Sequence, residues 1–272
     1  MITDKRRLDQ KLIDFRGKCV HRWYNLSSET YLGRKMSFFP ILSVNNYSEM
    51  LTKLGWYTWG VSIFCIVMLR QFVRPMTELS DYIDSVFPKE AADFLHLPIS
   101  LIGVLALAIL FALIAHAVKL HDRLSDLLRI RSEFDVNYVL YPLAIASGST
   151  LSVAQFDKVR LSRKSLMGAT FYAYVSSTKP VIDSHTITQA LTNWSWFWIC
   201  LEAITLLFAT ATILAVYGAW TPAALLLIAC IVLLLLMRFF RLQSAAYAES
   251  QVAQVVRDET RRAAVAAEFN AL

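Results

Sequence analysis

The chain has 272 residues, a formal net charge of +6, 56% hydrophobic residues and only 18% charged ones. A soluble domain averages roughly 45–50% apolar and about 25% charged residues, so two compact soluble domains fit the length but not the balance. Disordered and coiled-coil chains need far more charge and are excluded too. Seven Trp, eleven Tyr and sixteen Phe enrich the chain in side chains that favour membrane–water interfaces. Eight Gly and seven Pro are too few for a turn-dense β protein. Cys19, Cys65, Cys200 and Cys230 have no short spacing, which indicates neither a zinc site nor a disulfide framework. The composition predicts an all-α integral membrane protein.

In chain order, the N-terminal region 1–53 opens with an expected amphipathic helix over residues 4–24. Leu8, Leu12, Phe15, Cys19 and Trp23 recur at three- and four-residue steps, with basic residues on other faces. That helix either packs on a cytoplasmic layer or lies on anionic lipid. Four runs then reach about 20 residues, roughly 30 Å of helix. They cover residues 54–73, 97–118, 194–217 and 222–240. None alternates with period two, which excludes barrel strands. Residues 74–96 form an acidic outer loop within the first hairpin, 54–118, and Asp81 and Asp84 are read as its solvated face.

Residues 119–193 are expected to form a cytoplasmic helical insert. It continues the second span through Leu120, Leu124 and Leu127 to Phe134, then breaks at Pro142 and at residues 147–150. A shorter helix follows at Val153–Leu161, and Asp183-Ser184 caps the helix entering the third span. At about 70 residues the insert is too small for a large core of its own. It is expected to pack with the N-terminal helix, the C-terminal helix or copies of itself. Gly218, Trp220 and Pro222 make the turn of a second hairpin, 194–240. The fourth span is expected to run on as a cytoplasmic helix through residues 241–272. There Leu242, Ala246, Val252, Val256, Ala263 and Ala267 form a stripe suited to close helix packing.

Topology follows from Lys and Arg. Residues 1–53 carry ten, 70–96 three, 119–193 nine, the turn at 218–222 none and 238–272 five. The positive-inside rule places both termini and the central insert in the cytoplasm.

Enzyme signatures are missing. The sequence has no Gly-rich phosphate loop, no Gly-x-Ser-x-Gly elbow and no His-Glu-x-x-His. His116 and His121 are five apart and diverge on a helix. The chain is therefore expected not to be an enzyme and to hold no metal and no resident cofactor. Three features remain. Glu202 lies inside the third span, where an acid costs about 2.5–3.5 kcal/mol. With Thr205, Ala209 and Thr212 it forms a stripe that lines a cation pathway in an oligomer, or else Glu202 locks two helices together. Ala108, Ala112, Ala115 and His116 give the second span a small face for helix packing. The third feature is basic: Arg123, Arg129 and Arg131 near the membrane, and Lys158, Arg160, Arg163 and Lys164 beyond. These suit phosphate-bearing ligands, and positive-inside bias or lipid headgroup contact produces the same pattern.

Ile130-Arg131-Ser132-Glu133-Phe134-Asp135, followed by Val139-Leu140-Tyr141-Pro142, resembles the Ile-x-x-Glu-Phe-Asp … Leu-Pro pattern of SMODS-associated four-transmembrane effectors. Tyr141 stands between Leu140 and Pro142, where that pattern has none. The layout is similar as well: two spans, a cytoplasmic insert, two more spans and a helical tail. The resemblance implies a pore-forming effector of bacterial antiphage defence, controlled by a nucleotide or oligonucleotide from a nucleotidyltransferase. Glu133, Phe134 and Asp135 then belong to its regulatory layer. The expected function is an oligomeric channel, taken as a tetramer, in contact with lipid and not with duplex nucleic acid. It is gated at the basic layer and acts by depolarisation. The alternative is a non-conducting membrane anchor or sensor that recruits a cytoplasmic partner.

Overall fold

The computed structural model describes residues 44, 46–88, 98–176 and 181–272, all within one compact unit. The helix expected at residues 4–24, and Glu90 and Asp93 of the outer loop, lie outside the described residues. Every regular element among the described residues is helical.

Helix α1 spans Tyr47–Phe72. Its N-cap Asn46 accepts from the Glu49 N–H at 2.8 Å and donates to the Glu49 carboxylate at 3.1 Å, so two polar groups at the helix start are satisfied reciprocally. α1 ends at Val73, and α2 (Arg74–Val86) begins with Pro75 in its first turn, where a missing N–H costs nothing. The segment expected as a solvated loop therefore contains a helix. α3 is Ile99–Ala117 and α4 is Leu120–Leu127. The expected continuation of α3 breaks at Lys119, whose φ is +49°, and again at Arg129, with φ +52°. Both take the left-handed region that side-chain-bearing residues rarely adopt.

α5 (Ile130–Phe134), a π-helical segment (Asp135–Leu140) and α6 (Tyr141–Ser147) form one continuous stretch. Pro142 was expected to break it and does not. Its ring would strike the carbonyl of Tyr138 in a regular α-helix. The wider turn relieves this: the Tyr141 N–H bonds five residues back to Val136. The break falls at Gly148, φ +90°, whose N–H bonds Ile145 while that of Ser149 bonds Ala144. α7 spans Val153–Leu161, with a capping box between Ser152 and Gln155. α8 (Arg163–Leu166) runs into a second π-helical segment, Met167–Tyr172.

The two longest helices follow. α9 is Ser184–Val216, capped by Asp183, whose carboxylate accepts from His185 and Thr186. The turn holds Tyr217, Gly218 (φ +79°) and Ala219. α10 is Trp220–Val256, so Trp220 and Pro222 belong to its first turn. The expected single C-terminal helix breaks at Arg257. α11 (Glu259–Asn270) then starts on an Asp258 cap.

α1, α9 and α10 are long and apolar enough to cross a membrane; α3 reaches that standard only together with α4, to which it is bent by 48°. Three cores hold the fold. One lies in the bundle, with Cys65, Leu69, Val104, Leu107, Ala108, Leu207, Leu214 and Leu226. A second joins Val44, Met50, Leu54, Phe197, Trp198 and Phe240. The third forms a helical layer from Val136, Leu140, Leu143, Val159, Met167, Phe171, Val252, Val255, Val265 and Phe269. The insert thus packs with α10 and α11. The buried face of α10 in this layer is Ser244, Ala245, Ala248, Gln251, Val252 and Val255, rotated from the expected stripe, of which Leu242, Ala246, Ala263 and Ala267 are exposed.

Candidate functional site: a polar joint and an intramembrane acid

The sequence candidates divide between two places. Glu202 is buried on α9 and accepts a hydrogen bond from the Thr58 hydroxyl of α1. The same hydroxyl lies 2.9 Å from the Leu54 carbonyl, and Ser62 donates to the Thr58 carbonyl at 2.7 Å. Glu202 is spent on an internal helix–helix contact. Thr205 is half-buried and Ala209 and Thr212 are exposed. Both threonines return their hydroxyls to their own helix, at Leu201 and Phe208. The four residues do not share one environment.

The second place is a joint where the start of α1 meets the two π-helical segments. Asp135 opens the first segment and is buried. It forms an ion pair with Arg163 of α8. Burial pushes the Asp135 carboxyl above its ordinary value, while Arg163 and Arg131 pull it back only in part. Arg131 donates to the Tyr47 hydroxyl at 3.3 Å and lies 3.9 Å from Asp122, which also meets His121 at 3.4 Å. Tyr172 closes the second π segment. Its ring is half exposed, but loss of water around its hydroxyl and the nearby Asp135 push the phenol up to about 12. π-helical turns recur at functional sites because they re-aim side chains that a regular helix points elsewhere.

Phe134, next to Asp135, packs on Trp194 of α9 with ring centroids 4.4 Å apart and on Tyr138 at 5.2 Å. Trp194 in turn stacks on Phe197 at 5.1 Å. The motif Glu133-Phe134-Asp135 thus places its middle residue against α9, its aspartate in the joint, and Glu133 on the surface.

Of the basic candidates, the structure brings Arg131 and Arg163 together around Asp135. Lys158 is exposed and its ammonium donates to the Leu272 carbonyl. Arg123, Arg129, Arg160 and Lys164 are exposed. Among the small residues of α3, Ala108 is in the bundle core. Ala112 lines an apolar groove of about 340 Å³ with Gly55, Trp56, Trp59 and Leu113. Thr58, Tyr47, Tyr172 and Trp194 escape sequence reasoning. Each works through a partner far away in the chain, and only the placement of Trp194 at a span entry hinted at a role. Among the described residues, no group of three or more His, Cys, Asp or Glu side chains could hold a metal ion.

These features define a helical protein with membrane-length helices, a buried acid paired between two of them and a charged joint. The chain belongs to the YmfE protein family, which it matches over residues 46–266. The YmfE protein of Escherichia coli (strain K12) is 27% identical over 161 residues, or 58% of this chain and 64% of the relative. The chain therefore matches less than two thirds of that relative's length. No solved structure matches.

Proposed function

We propose that the protein is an oligomeric membrane channel of the pore-forming effector type, gated from its helical layer. In this reading α1, the bent α3–α4 pair, α9 and α10 are four spans of a bacterial inner membrane, with the layer and both termini in the cytoplasm. The observation that carries it is continuity. α9 supplies Ile187 to the layer core and Leu214 to the bundle core, and α10 supplies Leu226 to the bundle and Val255 to the layer. Neither helix breaks between. A ligand that binds one arrangement of the layer better than another shifts the spans with it.

The ligand is a nucleotide or oligonucleotide, as the resemblance of the Glu133-Phe134-Asp135 motif implies. Exposed Arg160, Lys164, Arg123 and Arg129 offer charge to its phosphates. Thr205, Ala209 and Thr212 remain the lining between copies, taken as four. Glu202 passes to the alternative that the sequence left open, a lock between α9 and α1. The chain carries out no chemistry in this reading, and its output is depolarisation. The test is ion flux from liposomes holding the purified protein, with candidate nucleotides and oligonucleotides added outside and inside. Flux on addition of one of them is expected. Liposomes that stay tight with every one overturn the reading.

A second reading draws on the Glu202–Thr58 contact. With Glu202 turned inward, the bundle serves as a non-conducting anchor, and the layer recruits a cytoplasmic partner. Retention of the same partner by the protein in cells, with no flux under any ligand, favours it.

A further inference from the structure

One exposed face of helix α2 has no evident environment. At 100° per residue, Thr77, Ser80 and Asp84 fall within an arc of about 60°. That face is turned to the protein. Thr77 donates to the Arg70 carbonyl at 2.5 Å, Asp84 accepts from the Gly103 N–H at 2.7 Å, and Ser80 is fully buried. Arg74, Glu78, Asp81 and Ser85 fall within a second arc of about 60°. These charges are exposed: Arg74 pairs with Glu78 at 2.7 Å, and Asp81 reaches Arg70 at 2.6 Å. Leu79, Tyr82 and Val86 fill a third arc of about 60°. They are 44%, 66% and 62% exposed. Met76 and Ile83, beside the first arc, pack on the bundle core, so the helix gives one apolar edge to the protein and a second apolar face to the surroundings.

Water is a poor neighbour for three large apolar side chains in a row. The adjoining ends of the spans show what the neighbour is. Phe72 of α1 and Leu101 of α3, at the ends to which α2 is tied, are also exposed, at 44% and 42%. One medium covering all five side chains accounts for these exposures. An amphipathic helix with a charged face beside an apolar one, and a Tyr on the latter, fits the headgroup–acyl boundary.

We propose that α2 lies in the membrane interface at this end of the bundle, with Leu79, Tyr82 and Val86 turned into lipid and Arg74, Glu78 and Asp81 into water. The Arg70–Asp84 contact, 3.2 Å, then holds an interfacial helix to the span that precedes it, and lipid packing in that leaflet acts on α1 and α3 through it. The proposal rests on the bundle being membrane-embedded and is independent of conduction.

The test uses the full chain in phospholipid nanodiscs. Single variants L79C, Y82C, V86C, D81C and L235C carry an environment-sensitive fluorophore, with labelled wild-type protein giving the background from native thiols. Quenching by nitroxide lipids, shallow or deep, is compared with quenching by aqueous iodide. Probes at 79, 82 and 86 are expected to be quenched severalfold more by the shallow lipid than by iodide, and the probe at 81 the reverse. L235C, on the exposed face of α10, should respond to the deep lipid. Failure at 235 overturns the membrane reading itself. A response at 235 with iodide reaching 79, 82 and 86 as readily as 81 overturns the interfacial helix. So does protection of those three from both quenchers, which would mean that a second copy covers them.

Discussion

The Thr58 hydroxyl has one proton and two oxygens beside it, the Glu202 carboxyl and the Leu54 carbonyl. A buried polar group left without a partner costs about 1–3 kcal/mol. Thr58→Val should therefore destabilise the protein by about that amount, because it strands Glu202. The double change Thr58→Val with Glu202→Leu should cost clearly less than the sum of the two singles. A coupling of about 0.5–2 kcal/mol in a double-mutant cycle, read from unfolding in detergent or bicelles, is the expected result. Additive effects would remove the lock. Asp135 obeys the same logic in the layer. Asp135→Ala removes the carboxyl to which half-buried Arg163 donates and should cost about 1–3 kcal/mol. Its pH dependence has a definite sign. The Asp135 carboxyl is held above its ordinary value by burial, so the folded state takes up its proton more readily than the unfolded chain. Stability relative to Asp135→Asn should rise as pH falls from neutral towards the ordinary carboxylate range, and level off below it. Unfolding midpoints of the two proteins across a pH series check this, and a constant or shrinking difference contradicts it. The sequence singled out Glu202, Asp135 and Arg163, but not their pairings. Partners 144 and 28 residues apart leave no trace in local spacing.

Among the elements, α2 and α3 meet more closely than any added side chain allows. A Cβ at Gly103 would fall inside contact distance of the Ser80 carbonyl oxygen and 2.7 Å from the Ser80 hydroxyl. Gly103→Ala should push α2 away, weaken the Asp84 contact to the Gly103 N–H, and cost about 1–3 kcal/mol. Because the nearest atom belongs to the backbone, adding Ser80→Ala should rescue little of the loss. Thermal unfolding of the single and double variants measures both, and full rescue would place the clash on the hydroxyl. Local rules made some elements legible and hid others. α7 and the caps at Asp183 and Gly148 follow from residue types that can do little else at those positions. α2 was hidden because its acids read as water-facing, whereas Asp84 turns inward to Arg70 and a backbone N–H. The breaks at Lys119 and Arg129 were hidden because residues with side chains carry no signal for a left-handed conformation. At Pro142 the local rule failed because the π turn absorbed the clash.

At the scale of the whole molecule, the layer owes its core to distant segments. Phe269 of α11 is fully buried and shares the layer core with Leu143, Val159, Met167 and Val255. Phe269 lies outside the bundle core, which is built from α1, α3, α9 and α10 with Val73 and the edge of α2. Phe269→Ala should open a cavity costing about 3–5 kcal/mol, and the loss should fall on the layer first. Amide exchange should accelerate across α6, α11 and the second π segment, while α1 and residues 200–235 keep their protection. The long helices make this outcome informative about function. If α9 and α10 transmit the state of the layer to the spans, a loosened layer should uncouple flux from its ligand, leaving it either constitutive or absent. Exchange that rises evenly over the layer and bundle would show instead that the two unfold as one unit, and flux that still answers its ligand normally would show that the layer core does not carry the signal.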